Sequence, residues 1–132
     1  MVFVDASFAN NKDMSSQIGY VIVLANEERK DSESIYITGN ILHWSSTKCK
    51  RVTRSVLASE LYTIVTGFDN SSVIQATIKN ILDDEILLII CTNLYSLYNC
   101  ITKLRTTTKK YLIIDIIRLR QSYKRREISE VR

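Results

Sequence analysis

The sequence predicts an α/β domain: a mixed five-stranded sheet, built from an antiparallel three-stranded meander and parallel strands, with helices packed on it. Residues 1–48 contain three apolar segments joined by short polar turns, which is typical of an antiparallel meander. From residue 53 the apolar spacing changes to that of helices, and helical segments then alternate with strands. The predicted order is β-β-β-α-β-α-α-β, in a single domain over residues 1–132.

The composition of each strand of the meander supports its assignment. Val2–Ser7 is short and rich in Val and Phe, which suit a pleated buried surface. Residues 17–24 are almost continuously apolar, which predicts a strand in the interior of the sheet. Residues 36–45 form the third predicted strand. Residues 26–34 are charged and show no periodicity, so we expect an exposed hairpin loop there.

A long amphipathic helix is predicted after the meander. Thr53 or Ser55 can cap its N-terminus. Gly67 can kink or end the helix, and residues 71–82 are either its continuation or a second helical piece. Residues 83–85 mark the turn that follows. The apolar positions with helical spacing are Val56, Leu57, Leu61, Ile64 and Val65.

The second half of the chain supplies two strands and two helices. Residues 86–92 are an unbroken apolar run, which predicts a strand buried on both faces. Residues 94–104 are predicted to be helical, Thr106 to Thr108 separate them from a third helix at 109–125, and residues 128–132 begin a last strand. The buried face of the third helix is expected to contain Leu112, Ile113, Ile116 and Leu119.

The composition excludes several classes of protein. With 45% hydrophobic and 24% charged residues, the chain is an ordinary globular protein. Its three cysteines form no CxxC pair and His43 is its one histidine, so we expect buried thiols in a reducing compartment and no structural zinc. No apolar run is long enough to span a bilayer and no leader precedes the first strand. We therefore expect an intracellular protein, in cytoplasm or nucleus, without a membrane partner.

The net charge of +4 is unevenly distributed along the chain. Residues 1–100 contain eight Lys and Arg against eleven Asp and Glu, whereas residues 101–132 contain ten against three. A basic segment on an otherwise slightly acidic chain favours a polyanionic partner. A solvated helix face is the alternative interpretation.

Two acids and one amide are the candidate site residues. Asp5 lies among apolar residues in the first strand, where an ionised dry carboxylate would cost on the order of several kcal/mol unless it is paired. A solvent-facing acid at the strand end is the alternative. Glu60 lies on the sheet-facing side of the first helix, and Asn93 follows the fourth strand. If the first and fourth strands are parallel neighbours, Asp5 and Asn93 approach each other.

Several short motifs occur in a fixed order along the whole chain. They are DAS at 5–7, IGYV at 18–21, HWSSTK at 43–48, SELY at 59–62, CTN at 91–93 and SLY at 96–98. This ordered set resembles the ribonuclease H domain at the C-terminus of copia-type LTR retrotransposon polyproteins, particularly fungal members.

The resemblance implies a two-metal nuclease that cuts the RNA strand of an RNA–DNA hybrid. Two Mg²⁺ or Mn²⁺ ions about 3.5–4 Å apart would be held by four acids. By this resemblance Asp5 matches the first acid, which bridges both metals, and Glu60 matches the second. The third acid corresponds to Asn93, and the fourth lies beyond Arg132, in a segment after the last strand. We therefore expect the family's final helix to be missing.

These departures predict a degenerate enzyme. Asp5 and Glu60 offer two negative charges against the four positive charges of two dications, so we expect at best one weakly held metal and no efficient cleavage. Asp115 is a poor replacement ligand; we expect it on a helix surface, paired with Lys110 or Arg118. Because Met1 directly precedes the first strand, the chain is expected to be a detached retrotransposon fragment, either a pseudoenzyme that a host has domesticated or a domain that was deliberately shortened.

Basic residues supply candidate nucleic-acid contacts. The cluster after the third strand, with Trp44 and Tyr62 nearby, is suited to hold a phosphate backbone, and the start of the third helix adds two lysines. A solvated loop with core aromatics is the alternative. The candidate nucleic-acid-binding residues are Lys48, Lys50, Arg51, Arg54, Lys109 and Lys110.

Three functions remain open from the sequence. The first is binding of RNA–DNA hybrid or another nucleic acid, and the second is a homodimeric interaction domain, because loss of a final helix would expose apolar surface. The third is weak metal-dependent ribonuclease H activity through Asp5, Glu60 and Asn93. No small-molecule substrate is expected.

Overall fold

The structure is a computed structural model that describes residues 1–29, 35–103 and 109–132. The predicted order of strands and helices is confirmed. Its elements are β1 (Val2–Ser7), β2 (Gln17–Arg29), β3 (Ile35–Lys48), α1 (Val56–Leu82), β4 (Ile89–Thr92), α2 (Tyr95–Thr102), a 3₁₀ turn (Lys110–Leu112), α3 (Ile113–Lys124) and β5 (Glu130–Val131).

The five strands form one mixed sheet in the order β3-β2-β1-β4-β5. β1, β2 and β3 are antiparallel neighbours, as the meander predicts. β1 and β4 are parallel, and so are β4 and β5. The predicted α/β class with a mixed five-stranded sheet is therefore confirmed, and β2 lies in the sheet interior as expected.

The helices and one face of the sheet enclose an apolar core. Val2 and Val4 of β1 are buried against it, and alternation along the strand places Phe3 and Asp5 on the opposite face, where both are exposed. We call this opposite side the open face. The helices contribute the largest buried side chains, which include Leu61, Ile64, Leu97, Ile101, Leu112 and Leu119.

Helix α1 is continuous over 27 residues, so Gly67 neither ends nor breaks it. A Cβ atom at Gly67 would lie 3.0 Å from Cγ1 of Val4 and 3.2 Å from Cγ1 of Val2. The close approach of α1 to β1 therefore explains why position 67 is a glycine. Ser55 caps the helix by accepting a hydrogen bond from the Ala58 amide at 3.2 Å, and the helix ends at Asp83 in the left-handed conformation.

The predicted hairpin loop at 26–34 is wrong in its first part. β2 continues through Arg29, and Asn26 to Arg29 pair with Ile35 to Thr38 of β3. Charged side chains are compatible with a strand that is exposed to solvent, and backbone ladder bonds need no apolar alternation. Residues 30–34 lie outside the described part of the chain.

The fourth strand is shorter and less buried than its apolar sequence predicts. β4 covers Ile89–Thr92, with Ile90 buried and the other three residues half-buried, while Leu87 before it is exposed. One face of β4 belongs to the open face of the sheet, and the strand beside it, β5, is only two residues long. Nothing therefore covers the second face of the apolar run among the described residues. The expectation of burial on both faces is therefore wrong.

The third predicted helix is confirmed with a different start. It opens with the 3₁₀ turn and continues as α3. Leu112, Ile116 and Leu119 are buried as expected, whereas Ile113 is only half-buried. Leu104, at the end of the predicted second helix, and Thr106 to Thr108 lie outside the described residues.

The structure shows how far the three cysteines are buried and whether a described helix could cross a membrane. Cys49 and Cys100 are buried free thiols, and Cys91 is a free thiol that is only half-buried. Among the helices of the described ranges, none combines the length and the apolar character that crossing a membrane requires.

Candidate functional site

Asp5 and Asn93 meet where β1 and β4 run side by side. The parallel register pairs Val4 with Thr92, so the residues that follow each of them are level with each other. The Nδ2 atom of Asn93 donates a hydrogen bond to Oδ1 of Asp5 at 3.2 Å. The approach predicted from the strand order is therefore observed.

Glu60 reaches the same site from α1. Its Oε1 atom accepts a hydrogen bond from the Ala6 amide, one residue after Asp5, at 3.3 Å. The residue is only 3% exposed, and within the described residues its Oε2 atom is buried without a hydrogen-bond partner. A buried oxygen in this condition is costly and is open to a proton or a cation.

The environment of Glu60 changes its acidity. Burial raises the pKa of the Glu60 carboxyl to about 7. The hydrogen bond from Ala6 opposes this rise, and the Asp5 carboxylate adds to it by repulsion. At neutral pH a large fraction of Glu60 is therefore protonated.

The burial of the two acids is the reverse of what the sequence indicates. The apolar neighbours of Asp5 suggest a buried carboxylate, but strand alternation directs Asp5 to the open face. Glu60, on an amphipathic helix, is the carboxylate that is dry. The free-energy cost of burying a carboxylate, which the sequence predicts for Asp5, therefore applies to Glu60.

The side chains at this site do not fit a pair of divalent cations. Two carboxylates and one amide are available, and Glu60 is partly neutral at pH 7. The Asn93 amide also donates a hydrogen bond to the Asp5 oxygen that a cation would use. Within the described ranges, no three His, Cys, Asp or Glu side chains are placed to share a metal ion. The donor set is suited to one weakly held cation at most.

The basic cluster is defined as Lys48, Lys50, Arg51 and Arg54. Its first three residues line a cleft of about 450 Å³ between the start of β2, the end of β3 and α1. Lys48 forms an ion pair with Asp13 at 2.9 Å. Lys50 and Arg54 are exposed and form no salt bridge in the part of the chain that the structure describes. Their charges are therefore available to a polyanion.

Arg51 has two contacts that hold the cluster against the helices. Its guanidinium lies 4.9 Å from the centre of the Tyr62 ring and 3.3 Å from Oδ2 of Asp115. This ion pair joins the segment before α1 to the first turn of α3, which follows Lys109 and Lys110 in the chain.

The expected partners of Asp115 are wrong. Asp115 pairs with Arg51 rather than with Lys110 or Arg118, and Arg118 pairs with Asp69 of α1 at 2.6 Å. Packing of α3 beside α1 and the loop before it brings partners from distant parts of the chain closer than the neighbours on α3 itself.

Trp44 and Tyr62 line different grooves. Trp44 pairs with Val21, whose neighbours Tyr20 and Ile22 are buried on the helix side, so Trp44 projects from the open face. There it is 68% exposed and lines a shallow groove of about 310 Å³ that also contains Asp5. Tyr62 lines the cleft of the basic cluster instead.

One aromatic group near the site was not singled out by sequence reasoning. The rings of Tyr95 and Tyr98 on α2 are stacked, with centres 6.1 Å apart and planes at 17°. The Lys103 amine lies 5.8 Å from one ring centre and 5.9 Å from the other. The two tyrosines are three residues apart on a predicted helix, and this spacing is the sequence feature that indicates their contact.

Comparison with known proteins identifies the fold. No protein-family model matches the sequence, and no curated protein is significantly similar to it. Two solved structures match 98% of this chain and 79% of their own: LC11-RNase H1 in complex with an RNA/DNA hybrid, with a TM-score of 0.65 and 14% identity, and LC11-RNase H1 isolated from compost by a metagenomic approach, with a TM-score of 0.66 and 15% identity. This chain therefore has the ribonuclease H fold.

Proposed function

We propose that this chain is a nucleic-acid-binding domain with the ribonuclease H fold, that it binds RNA–DNA hybrid or another nucleic acid, and that it has lost efficient two-metal cleavage. The observation that carries the proposal is the position of the basic cluster relative to Asp5. Asp5 of β1 pairs with Gly19 of β2, which pairs with Ser46 of β3, two residues before Lys48. Asp5 and Ser46 are therefore two strand spacings apart across the sheet, a distance of about 10 Å.

A duplex that binds the cluster would therefore reach the Asp5 site. Lys50 and Arg54 supply exposed charge for phosphates, and Lys109 and Lys110, which precede α3, are the further candidates for phosphate contacts. Phosphate contacts of this kind set affinity and position without reading sequence. The hybrid seen with LC11-RNase H1 supports a nucleic acid as the partner of a fold of this shape.

Loss of cleavage follows from the donor set. Asn93 adds no charge, and the buried Glu60 is partly protonated at neutral pH. The site then offers less than two full negative charges to a reaction that needs two dications. The ordered motifs from residue 5 to residue 98 support an origin in a copia-type retrotransposon polyprotein, and a domesticated pseudoenzyme in an intracellular compartment is the corresponding biological role.

Hybrid binding over a series of salt concentrations tests this proposal. We expect fluorescence anisotropy to give an affinity for RNA–DNA hybrid that falls steeply with salt. The substitutions Lys50→Glu and Arg54→Glu should weaken binding, and each phosphate interaction that they remove should reduce the salt slope by about 1. Lys79→Glu, a charge reversal at the far end of α1 that also breaks the ion pair with Glu85, should bind as the wild type does. Hybrid affinity no greater than that for heparin, or equal effects of all three substitutions, would contradict the proposal.

Residual metal-dependent ribonuclease activity is the second candidate. It is supported by the convergence of Asp5 and Glu60 and by the Oε2 atom of Glu60, which has no hydrogen-bond partner among the described residues. Cleavage of a hybrid with Mn²⁺ should be compared for the wild type, Asn93→Asp and Asp5→Asn. A silent wild type with a weakly active Asn93→Asp variant would show that the enzyme was inactivated at position 93. Wild-type cleavage that Asp5→Asn abolishes would establish this second function and contradict the loss of cleavage.

A homodimeric interaction domain is the third candidate. It is supported by the exposed apolar side chains of the edge strand β3, which include Ile41 at 65% and Trp44 at 68% exposure. Apolar residues exposed along a sheet edge favour association. Light scattering over a range of protein concentrations separates a dimer from a monomer.

A further inference from the structure

We propose that the outer edge of β3 is a self-pairing surface, on which β3 of a second copy of this chain adds an antiparallel strand to the sheet. This inference deepens the homodimer proposed above and rests on it. β3 is 14 residues long and is the last strand of the sheet, bonded to β2 on one side. Within the described residues, no strand pairs with its other side, so alternate backbone N–H and C=O groups point outward.

The composition of β3 lacks most of the usual protection of an edge. From Ile35 to Thr47 the strand contains no Lys, Arg, Asp, Glu or Pro, and its first charged residue is Lys48. Natural edge strands are commonly blocked by such residues, by a bulge or by a covering segment. The neighbouring β2 has Glu27, Glu28 and Arg29 beside the uncharged start of β3, so the charge lies on the interior strand instead. An uncharged edge is poorly suited to phosphate and well suited to an uncharged strand.

A single bulge divides the edge into two parts. The register between β2 and β3 shifts after Ile22, which leaves Leu42 as the extra residue. Bulges increase the local twist, so a straight partner strand is expected to pair on one side of it. Residues 35–41 form the longer uninterrupted segment, and Ile35, Ile37 and Ile41 are exposed there at 45%, 42% and 65%.

This segment is complementary to itself in one register. A two-fold axis at Thr38 would place Ile35 opposite Ile41 of the second copy and Ile37 opposite Gly39. The three isoleucines share one face because they are separated by even numbers of residues. Cross-strand pairs of β-branched residues and of threonines stabilise antiparallel sheets, and two-fold symmetry makes each pair of different residues occur twice.

The size of the surface predicts a reversible dimer. Seven residues a side is well below the roughly 20–30 residues a side of a standard stable interface. We therefore expect a monomer–dimer equilibrium that depends on protein concentration. Two-fold pairing also closes the assembly at two copies, because each dimer uses both β3 edges.

Sedimentation velocity over a series of concentrations, with site-directed cross-linking, tests the proposal on the full chain. Ile37→Lys should shift the protein to monomer, whereas Ile81→Lys, the same change at an exposed position on α1, should leave the equilibrium unchanged. Thr38→Cys should form a disulfide-linked dimer with copper phenanthroline as oxidant, since directly opposed Cα atoms lie within disulfide range. Thr77→Cys on α1 is the matched control and should cross-link far more slowly. Circular dichroism should show the same fold for every variant.

The possible failures are distinguishable. A wild-type chain that stays monomeric at every concentration overturns both the dimer and the β3 surface. A dimer that survives Ile37→Lys and gives no Thr38→Cys cross-link overturns the β3 surface alone and leaves the homodimer in place. Oligomers larger than two copies contradict the closed two-fold arrangement.

Discussion

Asn93 donates its side-chain amide to the carboxylate of Asp5 at 3.2 Å, and this bond joins two parallel strands at the centre of the candidate site. An acid at position 93 would place a second negative charge beside Asp5, which is stable only with a cation or a proton between them. The amide removes this repulsion. This pair of side chains therefore needs no cation between them.

Introducing an acid at position 93 should make stability depend on metal. Without divalent cations, we expect Asn93→Asp to lower the free energy of unfolding by about 1–2 kcal/mol, through the missing hydrogen bond and the added repulsion. Mn²⁺ should raise the melting temperature of this variant more than that of the wild type. Thermal unfolding with Mn²⁺ and with EDTA measures both effects. Asn93→Ala removes the hydrogen bond without adding charge, so equal Mn²⁺ shifts in the two variants would refute the explanation.

The raised pKa of Glu60 predicts that stability decreases as pH rises from about 4.5 to 7. In this window the folded protein keeps the Glu60 proton while the unfolded chain has released it, so deprotonation favours unfolding. The decrease should approach about 3 kcal/mol by pH 8, since each pKa unit corresponds to about 1.4 kcal/mol. Urea unfolding at intervals between pH 5 and pH 8 measures it.

Glu60→Gln is the matched variant for this pH effect. It keeps an oxygen that can accept the Ala6 hydrogen bond but cannot ionise. The difference in unfolding free energy between variant and wild type should be small at pH 5 and should favour the variant at pH 8. A difference that stays constant with pH would mean that Glu60 titrates at its ordinary value.

Arg51 should stabilise the fold in addition to any role in binding. Arg51→Ala removes the ion pair with Asp115 and the interaction with the Tyr62 ring. Because the guanidinium is largely exposed, we expect a decrease of only about 1 kcal/mol in the free energy of unfolding. Lys50→Ala, which breaks no salt bridge among the described residues, should change stability by less than about 0.5 kcal/mol. Equal effects in urea unfolding would show that the Arg51 interactions contribute nothing.

Gly67 should be intolerant of larger side chains. Its position 3.0 Å from Val4, measured from an added Cβ, leaves no space for methyl groups between α1 and β1. We expect Gly67→Val to reduce the free energy of unfolding by about 1–3 kcal/mol through overpacking. Helix propensity does not oppose this substitution, because glycine is a poorer helix former than valine. Asn80→Val, at an exposed position of the same helix, measures the effect of a β-branched residue away from β1. A similar decrease in both variants would show that packing against β1 is not the cause.

Local patterns are sufficient to predict most of the fold. The period of the apolar residues predicts the order of all eight main elements, and the strand order alone brings Asp5 and Asn93 together. Errors arise where a pattern has two structural meanings. The apolar run at 86–92 predicts a fully buried strand, although only Ile90 within β4 is buried.

The sequence by itself determined which residues are candidates for the site, because the period of the apolar residues assigns Asp5 and Asn93 to strands and Glu60 to a helix. It did not determine which acid is dry. Asp5 is exposed and Glu60 is buried because the sheet has a helix-covered face and an open face, and only the packing of α1 on β1 assigns each side chain to one of them. The ion pairs of Arg51 and Arg118 were equally beyond prediction, since their partners lie 64 and 49 residues away in the chain and are chosen by tertiary packing.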